Sequence, residues 1–486
     1  MKKILGKCTL FSVLFVTFTL ALGQLFGGTK NDTLDGFYYE EDHTLDILFF
    51  GSSHAYCGIN PHILWQELGV TSYNLGQPEQ QLWTTYYYMK EAFKHQRPQV
   101  VFLDVLTVNY DEPYRPLDNS NINLDDLELN VTKLENIQAS VEPSNRPYFV
   151  FKLLKNKGNW KNLKKENFTT HFTHLKHYNK GYREEFGIYK NEKPQYPVTE
   201  EVGILPEKVT FYLEKIINLC EENNIQLVFM KTPIYVSEEA GRRYNKVKEL
   251  ARERNLPFLD FNEKYDELGL DFKEDYLDEL KHLNFRGAEK LSRYLANYLK
   301  ENFNLPNHKE EVAYASWKVD LERWLKRDEE LRLRQEEDLK LYLERLAKSP
   351  YKEDYTLILT LQNSGVEQVQ DSEKVSQLQG ILREIGFTSF NVKESQGSWD
   401  KGKYLGILQQ GELVYEKSGE GNIGFNQELS SKQWSINLTD ETTHIQLGEE
   451  QKAINKGEVN LVIYDKVVER VIDSSSFSLE ASQVLR

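Results

Sequence analysis

Ser53, His282 and the carboxylates of Asp278 and Glu279 have the types and places that could do chemistry. Ser53 stands in "FFGSSHAYCGINP", where an apolar run ends in Gly-Ser-Ser-His. A serine hydroxyl is a weak nucleophile. An imidazole must take its proton, and a carboxylate must fix that imidazole's tautomer. Of the 10 histidines, only His282 follows a strand and immediately precedes the last helix of an alternating region, in "DYLDELKHLNFRGAEK". Asp278 and Glu279 stand four and three residues ahead of it. A serine early, with acid and base together late, predicts attack of a serine oxygen on an acyl carbon. The plainer alternative is an ordinary strand-to-helix turn, since glycine and serine are common in turns, with His54 bonded to backbone.

Such residues need a scaffold that brings strand ends together. "LDILFF" is a continuous apolar run, as in a strand covered on both faces. Asn60-Pro61 reads as a cap and first-turn pair for "HILWQEL". Strand "TSYNL" ends at Gly76, then helix "QLWTTYYYMKEAF" and strand "QVVFLDVL" follow. The rhythm resumes with "PEKVTFYLEKIINLCEEN", "IQLVFMK", "EEAGRRYNKVKELARER", "LPFLDF" and "RGAEKLSRYLANYLKENF". Alternation of this kind predicts an α/β fold with a doubly wound, mostly parallel sheet. Residues 110–200 break the rhythm and read as an insertion near the carboxyl edge, where ligands bind in such folds. Lys231 and Pro233 end a strand at that edge and are candidates to line the site. Tyr86–Tyr88 read as helix surface and core.

"FFGSSHAYCGINP", "YNLGQPEQQ" and "DELKHLNFRGAEK" together resemble the SGNH (GDSL-type) hydrolases over about residues 44–302. The likeness is nearest to a membrane-anchored bacterial branch related to D-alanine transfer and exopolysaccharide acetyl-transfer proteins. The resemblance implies a flavodoxin-like three-layer domain with Ser53 as nucleophile and His282 as base. It implies an oxyanion hole from the backbone N–H groups of Ser53 and Gly76. Strict family spacing makes Glu279 the acid, whereas alignment on "DYLD" makes it Asp278, which is slightly preferred. The family's Gly-x-Asn-Asp block is absent. "FLDVLTVNYD" offers Asn109 and Asp104 instead, and Asn109 is the candidate third donor.

Composition narrows the partners. With 60 Lys+Arg against 75 Asp+Glu, the net charge of −15 argues against a nucleic-acid partner, which would need a basic face. Lys2 and Lys3 precede a nearly uncharged stretch of about 19 residues from Cys8, just long enough to span a bilayer. Residues 1–30 therefore read as an uncleaved signal anchor with the rest outside the cell membrane, preferred to a signal peptide cleaved near Ala21-Leu22-Gly23. Cys57 and Cys220 read as buried small hydrophobes. In "HFTHLKH", His171, His174 and His177 fall three apart; a solvated run is preferred to a metal site, and no metal or other cofactor is expected.

The anchored catalytic region, 31–308 with its 110–200 insertion, precedes a charged helical linker at 309–350. There Trp317, Leu321, Trp324, Leu325 and Leu331 form an apolar stripe that Asp328 and Gln335 interrupt. Residues 351–486 read as a separate strand-rich, sandwich-like domain. Its "KYLGILQQGELVYEKSGEG" and "INKGEVNLVIYDKVVERVIDSSSF" resemble the interleukin-like epithelial–mesenchymal transition inducer domain. Three functions follow as expectations. The first is an extracytoplasmic serine esterase acting on O-acyl groups of a cell-surface glycan. The second is an O-acyltransferase moving acetyl or D-alanyl onto a cell-envelope glycan or teichoic-type polymer. The third is a non-catalytic glycan-binding or assembly protein.

Overall fold

The computed structural model describes residues 2–26, 31–114, 122–163, 174–194, 199–362, 372–388, 402–439, 441–456, 458–478 and 483–485. These form two compact units, Met1–Trp324 and Leu325–Arg486.

In the first unit, five strands make one parallel sheet: β1 (Ile47–Phe50), β2 (Ser72–Asn74), β3 (Val100–Asp104), β4 (Gln226–Lys231) and β5 (Phe258–Asp260). Their order is β2-β1-β3-β4-β5, the flavodoxin-like winding. Alternate side chains serve opposite faces. Leu48, Phe50, Val101, Leu103, Leu227 and Phe229 enter one core, which also takes residues of helices Leu82–His95, Glu207–Glu222 and Glu238–Glu253. Ile47, Phe49, Val100, Phe102, Val228 and Met230 enter the other, with helices Pro61–Leu68 and Phe285–Asn302. The expected doubly wound parallel sheet is therefore present. Burial on both faces explains why these strands are apolar throughout, not alternating.

Local chemistry sets the helix ends. Asn60 accepts the His62 N–H at 3.0 Å, Pro61 takes the first turn, and Gly69 closes the helix at φ +76°. Asn284 caps Phe285–Asn302 by accepting from Arg286 N and Gly287 N. Leu291, Leu295 and Leu299 then bury one stripe of that helix.

The insertion leaves after β3 and uses both sides of the sheet. Helix Val131–Ser140 packs on Leu82–His95. Residues 178–191 return elsewhere, making successive main-chain bonds to Asn74 N, Tyr56 O, Phe285 N and Tyr276 O. Lys180 is fully buried between Glu40 and Asp320, with its ammonium over the Trp317 ring. At the N-terminus, Lys2–Leu25 is the one helix among the described residues long and apolar enough to cross a membrane; its span Lys3–Gly23 has mean hydropathy 1.9.

The second unit is antiparallel. Strands β6 (Tyr355–Gln362), β7 (Lys403–Gln409), β8 (Glu412–Gly419), β13 (Val459–Asp465), β14 (Arg470–Ser478) and β15 (Gln483–Leu485) make a six-stranded sheet. Strands β9 (Ile423–Leu429), β10 (Lys432–Leu438), β11 (Thr443–Leu447) and β12 (Glu450–Gln451) make a four-stranded one. Ile358, Leu405 and Val462 share a core with Phe425, Trp434 and Ile436 of the smaller sheet. Leu357, Leu359 and Ile463 face helices Leu339–Lys348 and Ser372–Ile385. The strand-rich expectation for this region is met, and helix Ser372–Ile385 lies among the strands, with Ile381, Leu382 and Ile385 as its apolar edge.

Candidate active site

β1 delivers the chain to the carboxyl end of the sheet, beside β3 at the point where the winding reverses. Gly51 follows at φ +145°, where a Cβ would sit 2.6 Å from Asp104 Cβ. Only glycine fits that close approach. Ser52 then caps the short helix Ser53–Gly58, accepting the His54 N–H at 3.4 Å. Ser53 opens this helix, its side chain half-buried at the sheet's rim.

The opposing group comes from a tight turn ahead of Phe285–Asn302. Leu277 N–H donates to His282 O at 2.9 Å, and Leu280 takes φ +51°. Inside the turn, Asp278 Oδ1 accepts the main-chain N–H groups of His282 at 2.8 Å and Lys281 at 3.2 Å. Asp278 Oδ2 lies 2.6 Å from His282 Nδ1, and His282 Nε2 lies 2.7 Å from Ser53 Oγ. A carboxylate on Nδ1 fixes the proton there, leaving the Nε2 lone pair to accept from the serine. Burial pushes the Asp278 carboxyl upward, yet bonds from the His282 ring, its backbone and Lys281 outweigh that and hold it below its usual value. Glu279 is exposed; the turn geometry gives the imidazole to Asp278.

Two buried groups stand behind this chain. The His54 ring stacks on His282 with centroids 4.6 Å apart. Burial, then the nearness of His282, pushes His54 down to about 3, so it stays neutral. Asp104, the last residue of β3, accepts from Ser52 Oγ at 3.1 Å through Oδ2. Burial pushes its carboxyl up to about 7.

The oxyanion side is arranged differently from expectation. The Ser53 N–H has no acceptor among the described residues. The Gly76 N–H instead donates to Asn74 Oδ1 at 3.1 Å, while Asn74 Nδ2 donates to Ala55 O at 2.7 Å. Asn109 Nδ2 donates to Leu106 O at 3.2 Å, within its own 3-10 turn. Both of these expected donors are thus bonded inside the protein. Lys231 is buried in an ion pair with Asp260 at 2.8 Å, over the Tyr244 ring.

His174 Nδ1 and His177 Nε2 lie 3.0 and 3.6 Å from the two oxygens of Asp35, while His171 falls outside the described residues. Glu91, His95 and Glu128 could each offer a metal ligand atom within 4.8 Å of one another. Both Glu91 oxygens are already bonded, by Lys94 and Asn130.

The sequence pattern gives no role to Ser52 and Asn74, offers Asp104 only in place of the missing Gly-x-Asn-Asp block, and makes His54 a turn residue. Asn74 lies within "YNLG" and Asp104 within "FLDV", so both were in view as strand ends. A polar residue closing an apolar parallel strand was the signal available.

No protein-family model matches this sequence, and no curated protein matches it. Solved structures to which the chain is similar include a protein described as lipolytic, of the G-D-S-L family, from Desulfitobacterium hafniense. It is 12% identical with a TM-score of 0.26, over 52% of this chain and 97% of that one. A protein described as an acylhydrolase from Bacteroides fragilis is 11% identical with a TM-score of 0.28, over 53% and 88%. One described as a GDSL-like lipase from Parabacteroides merdae is 13% identical with a TM-score of 0.26, over 54% and 98%.

Proposed function

We propose that this chain is a serine esterase of SGNH type, held at the outer face of the cell membrane and acting on O-acyl groups of a cell-surface glycan. One observation carries the reading: Ser53 Oγ, His282 and Asp278 form a continuous hydrogen-bonded chain of 2.7 and 2.6 Å at the switch point of a parallel sheet. In this reading Ser53 Oγ attacks the ester carbonyl carbon while its proton passes to His282 Nε2. The resulting imidazolium is held by Asp278, and the oxyanion takes the Ser53 N–H. Collapse breaks the bond to the sugar oxygen, which leaves with the proton from Nε2. Water then repeats the sequence on the acyl-serine, its proton going to Nε2 and returning to Ser53 Oγ. The same acyl-enzyme passed to a polymer hydroxyl would make the protein an O-acyltransferase, and the apolar N-terminal helix, by holding the chain at a membrane, favours that variant.

The test is labelling of Ser53 by a fluorophosphonate, with turnover of p-nitrophenyl acetate measured alongside. Labelling that disappears in Ser53→Ala and His282→Ala supports the esterase. An unlabelled folded protein favours the non-catalytic reading. Acyl product counted with and without an added glycan acceptor separates hydrolysis from transfer. For the anchor, membrane fractions washed with high salt should retain the full-length chain until detergent is added.

A further inference from the structure

Ser53 is placed by the two residues before it, and both meet Asp104. Gly51 passes so near that a Cβ would lie 2.6 Å from Asp104 Cβ, and its carbonyl accepts the Gln77 N–H at 3.1 Å. The Ser52 hydroxyl donates to Asp104 Oδ2 at 3.1 Å while its oxygen accepts the His54 N–H at 3.4 Å. Ser52 therefore ties the end of β3 to the first turn of the helix that Ser53 opens. Asp104 is 1% exposed. Burial pushes this carboxyl up to about 7, outweighing the bonds it takes from the Ser52 hydroxyl and from the main-chain N–H groups of Ser52, Leu106 and Thr232. An apolar residue would close β3 more stably. Polar groups held against that preference cluster where a site needs them.

We propose that Asp104 is a positioning residue for the nucleophile: through the Ser52 hydroxyl it holds the turn after β1 so that Ser53 Oγ stays within bonding distance of His282 Nε2. The proposal rests on the reading of Ser53 as nucleophile. It requires an acceptor at position 104 and a hydroxyl at position 52. It does not require charge, because an amide oxygen in Asp104→Asn can take the same bond after the side chain turns.

The experiment follows the rate of fluorophosphonate labelling of Ser53 and the kcat and KM for p-nitrophenyl acetate, using the full-length chain in detergent. Ser52→Ala and Asp104→Ala should each slow labelling and lower kcat about tenfold, the effect of one good hydrogen bond, with KM unchanged and Ser52→Ala still unfolding cooperatively. The double variant should be no slower than the slower single one, since both remove the same tie. Asp104→Asn should stay within about twofold of the unmodified protein, an amide oxygen being an adequate acceptor. Labelling of Ser52→Ala at the full rate overturns the proposal, and so do losses that multiply in the double variant. Should Asp104→Ala fail to fold, Ser52→Ala and Asp104→Asn decide the matter alone. An unmodified protein that never labels overturns the esterase reading itself, a different result from normal labelling that Ser52→Ala leaves untouched.

Discussion

The base side of the candidate site closes on itself between Leu277 and His282, whereas the nucleophile side is assembled across the sheet. In the first, Asp278 takes three bonds from residues no more than four positions away. In the second, Ser53 depends on Asp104 through Ser52, and on Asn74 through Ala55 O, residues about twenty to fifty positions distant. The local half can hold its geometry wherever its short turn forms. The distributed half exists only when β1, β2 and β3 are in register.

The sharpest way to break this comparison is to remove the atom where the halves meet. Ser53→Ala should lower kcat by at least about 10⁴, as loss of a nucleophile does in triad enzymes, while changing stability by less than about 1 kcal/mol. Steady-state turnover and a denaturation curve on the same sample check both. Within the local half, Asp278→Asn should cost about 10⁴ in kcat by presenting the wrong partner to Nδ1, and Glu279→Gln should stay within about twofold. A comparable loss in both would mean that the turn works as a whole, not through one carboxylate.

The halves should also answer pH in opposite directions. Asp278 is held below its usual value, so its contribution to stability is present above the unfolded-state value and is lost as pH falls through the folded one. Asp104 is raised to about 7, so its effect runs the other way: stability is fullest below pH ~4 and declines as pH rises through about 7. An upper bound for that decline is about 4 kcal/mol. Melting temperatures from pH 3 to 8 should therefore fall less steeply on the acid side in Asp278→Asn and less steeply toward neutral pH in Asp104→Asn. Smallest of all, His54→Ala should reduce kcat by about tenfold or less through loss of the ring stack on His282. His54→Phe, which keeps a stacked ring, should recover most of it.

Legibility followed the same division. The turn could be read because acid and base sit in one short segment, although only the backbone conformation at Leu280 shows why Asp278 and not Glu279 meets the imidazole. Strand apolarity and the Asn60-Pro61 cap made the parallel sheet readable, since burial on two faces writes itself directly into residue type. Partners across strands leave no such mark. Asn74 and Asp104 look like ordinary strand ends, and nothing in one sequence says that Asn74 takes the Gly76 N–H or that Asp104 takes the Ser52 hydroxyl. Helix Ser372–Ile385 escaped for a related reason, being a single amphipathic segment among strand-like and glycine-rich ones.

The return segment at residues 178–181 has a consequence for the solubility of the sheet. β2 is an edge strand, and an open edge is a template for pairing with another chain. Lys180 O takes the Asn74 N–H at 3.0 Å, and Gly181 crosses so near that a Cβ would lie 1.9 Å from Asn74 O. Glu40 and Asp320 then clamp the buried Lys180 ammonium in place. Residues 180 and 181 thereby cover the β2 edge at Asn74. Trimming the insertion to make a minimal catalytic domain should give a self-associating, insoluble sheet and not a smaller working enzyme.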